Sequence, residues 1–381
     1  MRELKVFVLI LLLFSTGCSG ASEDKDIVSS VKEAEVKKES EPVLKGDIGL
    51  HDPSGIVEDE GYLITLATGR SIRCSYVPPG SDEWIYGERI FGRGQRPEWM
   101  DELLPGNKGF WAPHTPFPRI MYYSTADDSR GKDIACIGRA VAVGDPPDYT
   151  WIDDGKPVLH CDRDDIDEPF AIDPAVFKGE DDTLWMVYGS HWSGIWIVEL
   201  NAETGHIKDE KARNEGWKRD NPAFSYVASE IGRYHKIPEG EEREANFISG
   251  NIEAPYVFWN EDNGYYYLFV NWGICCSGVR STYEIRIGRS REATGPYLDK
   301  QGHEMHEGGG TLFLEREGRF IGPGHANIFT YEDSKGVKRY VFTYHFYDGR
   351  EDGRAKMNAR YLIWDDEHWP VLTDKLFYNK E

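Results

Sequence analysis

Three short stretches place a carboxylate one or two positions ahead of a proline that could open a strand: His51-Asp52-Pro53-Ser54, Ala171-Ile172-Asp173-Pro174 and Asn251-Ile252-Glu253-Ala254-Pro255. Gathered into one pocket, three carboxylates cannot all ionise comfortably, because like charge and partial desolvation raise at least one pKa. The result is a protonated acid beside an ionised base, which is what hydrolysis of a glycosidic bond requires. Singly, an Asp-Pro pair reads as a turn, as Asp145-Pro146-Pro147 does. The shared placement of all three argues for chemistry.

Positioning them is the work of a repeat. Strand starts recur at Asp52-Pro53, Ala112-Pro113, Asp173-Pro174, Ala254-Pro255 and, more loosely, Gly324-His325, at steps of 60, 61, 81 and 70 residues. Each is followed by an aromatic and aliphatic strand: Tyr62 to Leu66, Ile120 to Ser124, Leu184 to Tyr188, Tyr265 to Val270 and Tyr340 to Tyr344. Third strands follow at Ile134 to Val143, Ile195 to Val198 and Tyr283 to Ile287, and Arg360 to Trp364 is expected to complete the last unit. Proline at a strand's first position removes a donor where none is needed. Five such units predict an all-β fold, a five-bladed β-propeller whose equivalent strand starts converge at one end of the axis. A two-sheet sandwich is the alternative, but it gives no reason for acids in register on separate repeats. Residues 201 to 247, rich in charge, read as a solvated surface loop.

The whole chain bounds the ligand. A formal charge of −22 over 381 residues argues against nucleic acid, whose phosphates reward Lys and Arg, and against polyanionic carbohydrate; a neutral ligand fits better. Residues 1–18 read as a lipoprotein-type signal peptide. Arg2 and Lys5 precede the apolar run Val6 to Phe14, and Ser15-Thr16-Gly17-Cys18 follows, with Cys18 as the lipidated residue. Residues 19–45 read as a charged tether, and 46–381 as the propeller. The expected location is therefore outside the cytoplasm, on a membrane through an N-terminal lipid. Five cysteines then remain, an odd number that leaves at least one thiol without an intramolecular partner. No zinc pattern is present.

The ordered set His51-Asp52-Pro53-Ser54, Trp111-Ala112-Pro113, Ile172-Asp173-Pro174, Tyr188-Gly189-Ser190, Glu253-Ala254-Pro255, Ser281-Thr282-Tyr283, Thr294-Gly295-Pro296-Tyr297 and Gly322-Pro323-Gly324-His325 resembles glycoside hydrolase family 43, within it the arabinanases. That resemblance implies an inverting hydrolase of arabinan, the neutral side chain of plant pectin, or, in relatives, of xylan side chains; a monomer is expected. Asp52 would be the general base, Glu253 the general acid and Asp173 the carboxylate that tunes the acid. Inversion predicts roughly 6.5 to 9.5 Å between acid and base. The family also implies a calcium ion on the axis near His325, held mostly through waters. Endo action is expected; exo-arabinanase, α-L-arabinofuranosidase or β-xylosidase action is the alternative within the family, and a non-catalytic carbohydrate-binding propeller the alternative outside it.

Sugar recognition needs aromatic faces and polar groups that read hydroxyls. Trp111, Ser190, His191, Trp192, Trp272 and Tyr283 are the candidates. Two departures from the family pattern bear on them: His114 stands where Asp is usual, and the stretch after Ser124 lacks an aromatic. Cys275-Cys276 falls near the same end of the axis, either as two thiols or as a vicinal disulfide.

Overall fold

The computed structural model describes residues 43–380 except 93–94, 108, 128–133, 163–167, 192, 219 and 231–249. The expected signal peptide with Cys18 and all but the last residues of the tether lie outside the described residues. The packed unit begins at Val43, with Leu44 buried and Lys45–Gly46 paired to Glu83–Trp84, so the tether's last residues belong to the fold.

Aromatic and β-branched runs form strands that are buried on both faces, since each sheet is covered by a neighbour on either side. In Tyr265–Trp272 the six central residues are all buried. Five sheets of four or five strands result, each from one continuous stretch of chain. Their innermost strands are Val57–Asp59, Trp111–Phe117, Ala175–Lys178, Ile252–Asn260 and Phe320–Glu332. This is the five-bladed propeller that the repeat predicts. Blades interlock through aromatic rings: Phe269 of the fourth blade lies 5.5 Å from Phe342 of the fifth. Such pairs contribute about 0.5–1.5 kcal/mol beyond their buried area.

Two expectations change. Arg354–Trp364 is the third strand of the last blade, and Pro370–Leu376 completes it. The last strand is mixed in burial, with a pattern that does not alternate cleanly, so it carries little periodic signal. The charged stretch from 201 onward also contributes structure: Phe224–Ala228 is the outer strand of the third blade, and Ile207, Ala212 and Trp217 are buried. Its high charge concealed a few well-spaced apolar residues.

Five residues at the strand starts take a left-handed backbone: Asp52, Ala112, Asp173, Ala254 and His325, with φ of 50°, 41°, 55°, 50° and 63°. In three blades the cause is visible in the register. Glu253 pairs with Asn271 and Tyr256 with Phe269; Trp111 pairs with Ser124 and His114 with Tyr122; Gly324 pairs with His345 and Asn327 with Thr343. One extra residue is thus inserted on the inner strand at the same level each time, a bulge that bends the strand and re-aims its side chains. The fifth start is His325, one residue later than the Gly324-His325 alignment suggests.

Each of these five amides donates to a side chain of the preceding blade. Ala112 N–H reaches Thr68 Oγ1 (2.8 Å), Asp173 reaches Ser124 Oγ (2.9 Å) and Ala254 reaches Asp173 Oδ2 (3.0 Å). His325 reaches Asn271 Oδ1 (2.9 Å), and Asp52 reaches His345 Nδ1 (3.2 Å), which closes the circle. A bulge frees an amide from the ladder, and a buried free amide needs a partner. The ring of side-chain acceptors supplies it and holds the blades in phase around the axis.

Candidate active site

The bulges set which residues meet at the axis. Asp52 and Asp173 occupy the left-handed position itself, whereas Glu253 sits one residue before it, at the level of His51 in the first blade and Trp111 in the second. The three acids therefore share a register to within one residue, and Glu253 approaches from a different level than the two aspartates.

Asp52 is enclosed by a threonine hydroxyl and three imidazoles. His51 Nδ1 lies 2.7 Å from its Oδ2, Thr68 Oγ1 donates to Oδ2 at 2.6 Å, and His345 Nδ1 and His325 Nδ1 stand 3.3 and 3.6 Å from Oδ1. Burial favours the neutral acid, yet the His51 charge and the close imidazoles of His345 and His51 outweigh it and hold the carboxyl well below its usual range. Reciprocally, burial opposes the His51 cation, but Asp52 raises its pKa to about 10. His51 is thus an imidazolium, with Nε2 2.7 Å from the Tyr347 hydroxyl and its ring stacked on His345 at 4.2 Å. Burial and the His51 charge lower His345 to about 4, so it is neutral, consistent with Nδ1 accepting the Asp52 amide.

Glu253 has a separate set of partners. Ser190 Oγ donates to Oε2 at 2.9 Å, the Tyr283 hydroxyl donates to Oε1 at 2.7 Å, and His191 Nε2 lies 3.6 Å from Oε2. Asp173 sits within electrostatic reach of both other acids. Burial, then the charges of Glu253 and Asp52, push its pKa well above the ordinary value, against the opposing bond from Ala254 N–H. The structure therefore contains an anion held by the His51 cation, an acid pushed toward its neutral form, and a carboxyl group held by a serine and a phenol.

The six sugar-binding candidates divide. Ser190 and His191 flank Glu253. Tyr283 is buried and serves Glu253 through its hydroxyl, so its ring is not an open stacking face. Gly324 makes room for that ring, since a Cβ there would fall 2.3 Å from Tyr283 Cδ1. Trp111 and Trp272 are half-buried, Trp272 with the Arg286 guanidinium 4.6 Å from its ring. Trp192 lies outside the described residues. His114 is buried and accepts Val176 N–H at 3.0 Å, a structural bond between the second and third blades. A cavity of about 540 Å³ opens beyond the prolines, lined by Ser54, Thr115, Tyr256 and Asn327 among others, and none of the three acids lines it.

Four residues of the site escaped sequence reasoning: Thr68, Ser124, His345 and Tyr347. His345 alone left a signal, as a titratable residue inside the aromatic run Tyr344-His345-Phe346. For the axial ion, His325 is the test. Burial lowers its pKa, leaving a neutral imidazole beside the Asp52 carboxylate. One neutral donor next to a negative charge fits an ion that keeps most of its water. Among the described residues the one triad of metal-ligating type is His51, Asp52 and His345, already joined by hydrogen bonds.

The family model for Glycosyl hydrolases family 43 matches residues 40–370. The chain belongs to that family. It is 32% identical over 336 residues to the extracellular exo-α-(1→5)-L-arabinofuranosidase ArbA of Cellvibrio japonicus, covering 86% of this chain and 87% of that protein. It is 31% identical over 331 residues to the extracellular endo-α-(1→5)-L-arabinanase 1 of Bacillus subtilis, covering 84% and 87%. The α-L-arabinanase of Cellvibrio cellulosa, solved in complex with arabinohexaose, superposes with a TM-score of 0.70 at 28% identity, covering 87% of this chain and 96% of that one. As a family 43 chain, it has the propeller and acid-bearing starts that its sequence predicts.

Proposed function

We propose that this family 43 protein is an exported arabinanase that cleaves α-1,5-linked L-arabinan by single displacement with inversion, in endo fashion. One observation carries the mechanism: Asp52 and Glu253 have wholly separate partners, so two carboxylates of one site are set for two different tasks. Asp52, held ionised by His51, takes the proton of the attacking water. Glu253, cradled by Ser190 and Tyr283, gives its proton to the leaving oxygen. Asp173 stays neutral between them and, through Ala254 N–H, fixes the bulge that aims Glu253. Trp111 and Trp272 offer ring surface to sugar, and Trp192, next to His191 in sequence, is the third candidate. His325 would hold a calcium ion through one nitrogen and the ion's waters, where it would supply positive charge beside Asp52.

Asp52→Ala and Glu253→Ala are each expected to lower arabinan hydrolysis about 10²–10⁴-fold. Near wild-type rates in either variant would rule the assignment out. The exo reading stands second, because the relatives named above include an exo-acting enzyme at 32% identity and an endo-acting one at 31%. Products of linear arabinan decide: mixed oligosaccharides early for endo action, a single small product for exo. Chelation with EDTA tests the ion, with lowered activity or melting temperature restored by added calcium as the expected result. Lipid attachment at Cys18 is part of the proposal, and loss of membrane association in Cys18→Ser checks it.

A further inference from the structure

Of the five described cysteines, Cys74, Cys136 and Cys161 are buried, and burial raises the pKa of each, to about 12 for Cys74 and Cys161. Such thiols are inert. Cys275 and Cys276 differ in every respect. They are adjacent in the chain, both are free thiols, Cys275 is half-buried and Cys276 exposed. Cys276 Sγ lies 4.0 Å from His51 Nε2, and its backbone N–H donates to the Tyr347 hydroxyl at 2.7 Å, the hydroxyl that His51 Nε2 also contacts. An exposed sulfur beside an imidazolium, with a second thiol next to it, is the arrangement of a reactive cysteine with its resolving partner. The bond to Cys275, then His51, lowers the Cys276 pKa to about 5 despite burial.

We propose that Cys276, resolved by Cys275, is an oxidative modification site whose occupation switches off the neighbouring Asp52 centre. The oxidant is a small peroxide. Cys276 thiolate attacks one peroxide oxygen; the S–O bond forms, the O–O bond breaks, and the departing hydroxide takes a proton to become water. Cys275 sulfur then attacks the sulfenic sulfur; the S–S bond forms, the S–O bond breaks, and the second hydroxide leaves as water with the Cys275 proton. Two thiols are oxidised and one peroxide is reduced. The disulfide draws Cys276 away from His51 and disturbs the Tyr347 bond, so the cation that holds Asp52 in place loses two of its anchors. A bond to a charged group is worth about 1.5–3 kcal/mol, which corresponds to a rate loss of roughly tenfold or more.

The inference on activity rests on the reading of Asp52 given above, so the test has two independent readouts. The full chain is treated with hydrogen peroxide; the peptide ending at Arg280 is weighed, and hydrolysis of linear arabinan is followed. The expected result is loss of two hydrogens from that peptide together with a tenfold or greater fall in rate, both reversed by dithiothreitol. Cys276→Ser, whatever its untreated rate, should lose none of it to the same treatment, and Cys275→Ser should form a sulfenic acid that dimedone traps. Oxidation of the pair at unchanged rate overturns the switch; thiols that stay reduced, or equal inactivation of Cys276→Ser, overturn the site. If the untreated chain cleaves no arabinan, the functional reading fails while the mass of the peptide still decides the thiol chemistry.

Discussion

At the scale of single residues, the site works by giving like groups unlike surroundings. Asp52 faces the Thr68 hydroxyl and three imidazoles, one of them charged, and stays ionised, whereas the buried Asp173 faces two other acids and is pushed toward its protonated form. The second case has a measurable consequence through linkage. Because folding raises the Asp173 pKa, the folded state binds a proton that the unfolded chain releases above about pH 4. Wild-type stability relative to Asp173→Asn should therefore be equal at low pH and fall steadily as pH rises from about 4 toward neutrality. Denaturant midpoints of both proteins at pH 4 and 7 check the sign. Asp173→Asn should also hydrolyse arabinan more slowly, since the amide cannot tune Glu253 as a titrating acid does. A difference that stays flat, or that favours the wild type as pH rises, would mean that Asp173 is ionised in the fold.

At the scale of the element, the bulge is the device that matters. It turns an ordinary inner strand into one whose amide points to the next blade and whose flanking side chains point to the axis. Asn271 does more than accept, taking His325 N–H and donating to the Glu284 and Pro323 carbonyls at 3.1 and 3.0 Å. Asn271→Ala leaves those buried groups unpaired and should cost on the order of 3 kcal/mol, read from chemical denaturation. Gly324→Ala should act differently. Its methyl collides with Tyr283 and displaces the hydroxyl from Glu253, so the rate should fall about 10²-fold, the cost of a misplacement near 1 Å. Rates near wild type in Gly324→Ala would show that Tyr283 does not set the Glu253 carboxyl.

At the scale of the molecule, the ring closes without a shared blade. The first and last sheets are built from separate ends of the chain, and side chains join them: Leu376 and Phe377 pack with Leu44, Ile48 and Trp84, and Lys380 pairs with Glu58. Asn327 Nδ2 adds a bond to the Pro53 carbonyl at 2.9 Å. Phe377 is fully buried, so Phe377→Ala should cost about 3–5 kcal/mol, seen as a lower melting temperature. Because closure positions Asp52 against His345, the same change should weaken activity below the temperature at which the chain unfolds. Loss of stability with no effect on folded-state activity would separate the seam from the site.

The repeat, the blade number and the three acids were legible from residue order alone, because aromatic strands and acid-proline starts recur along the chain and local pattern is what a sequence displays directly. The outer strand in the charged stretch and the last strand, Pro370–Leu376, were not, since edge strands face solvent on one side and lack alternation. The sugar-facing role expected of Tyr283 gave way to a buried hydroxyl on Glu253, because nothing in Ser281-Thr282-Tyr283 tells which way a ring will turn. Thr68 follows the second strand of the first blade and Ser124 lies on that of the second, whereas His345 and Tyr347 lie on the second strand of the last blade, and only ring closure brings those two to Asp52 and His51. Residue types marked three carboxylates as the candidates for chemistry. Tertiary structure decided which one keeps its charge, because a pKa depends on neighbours in space.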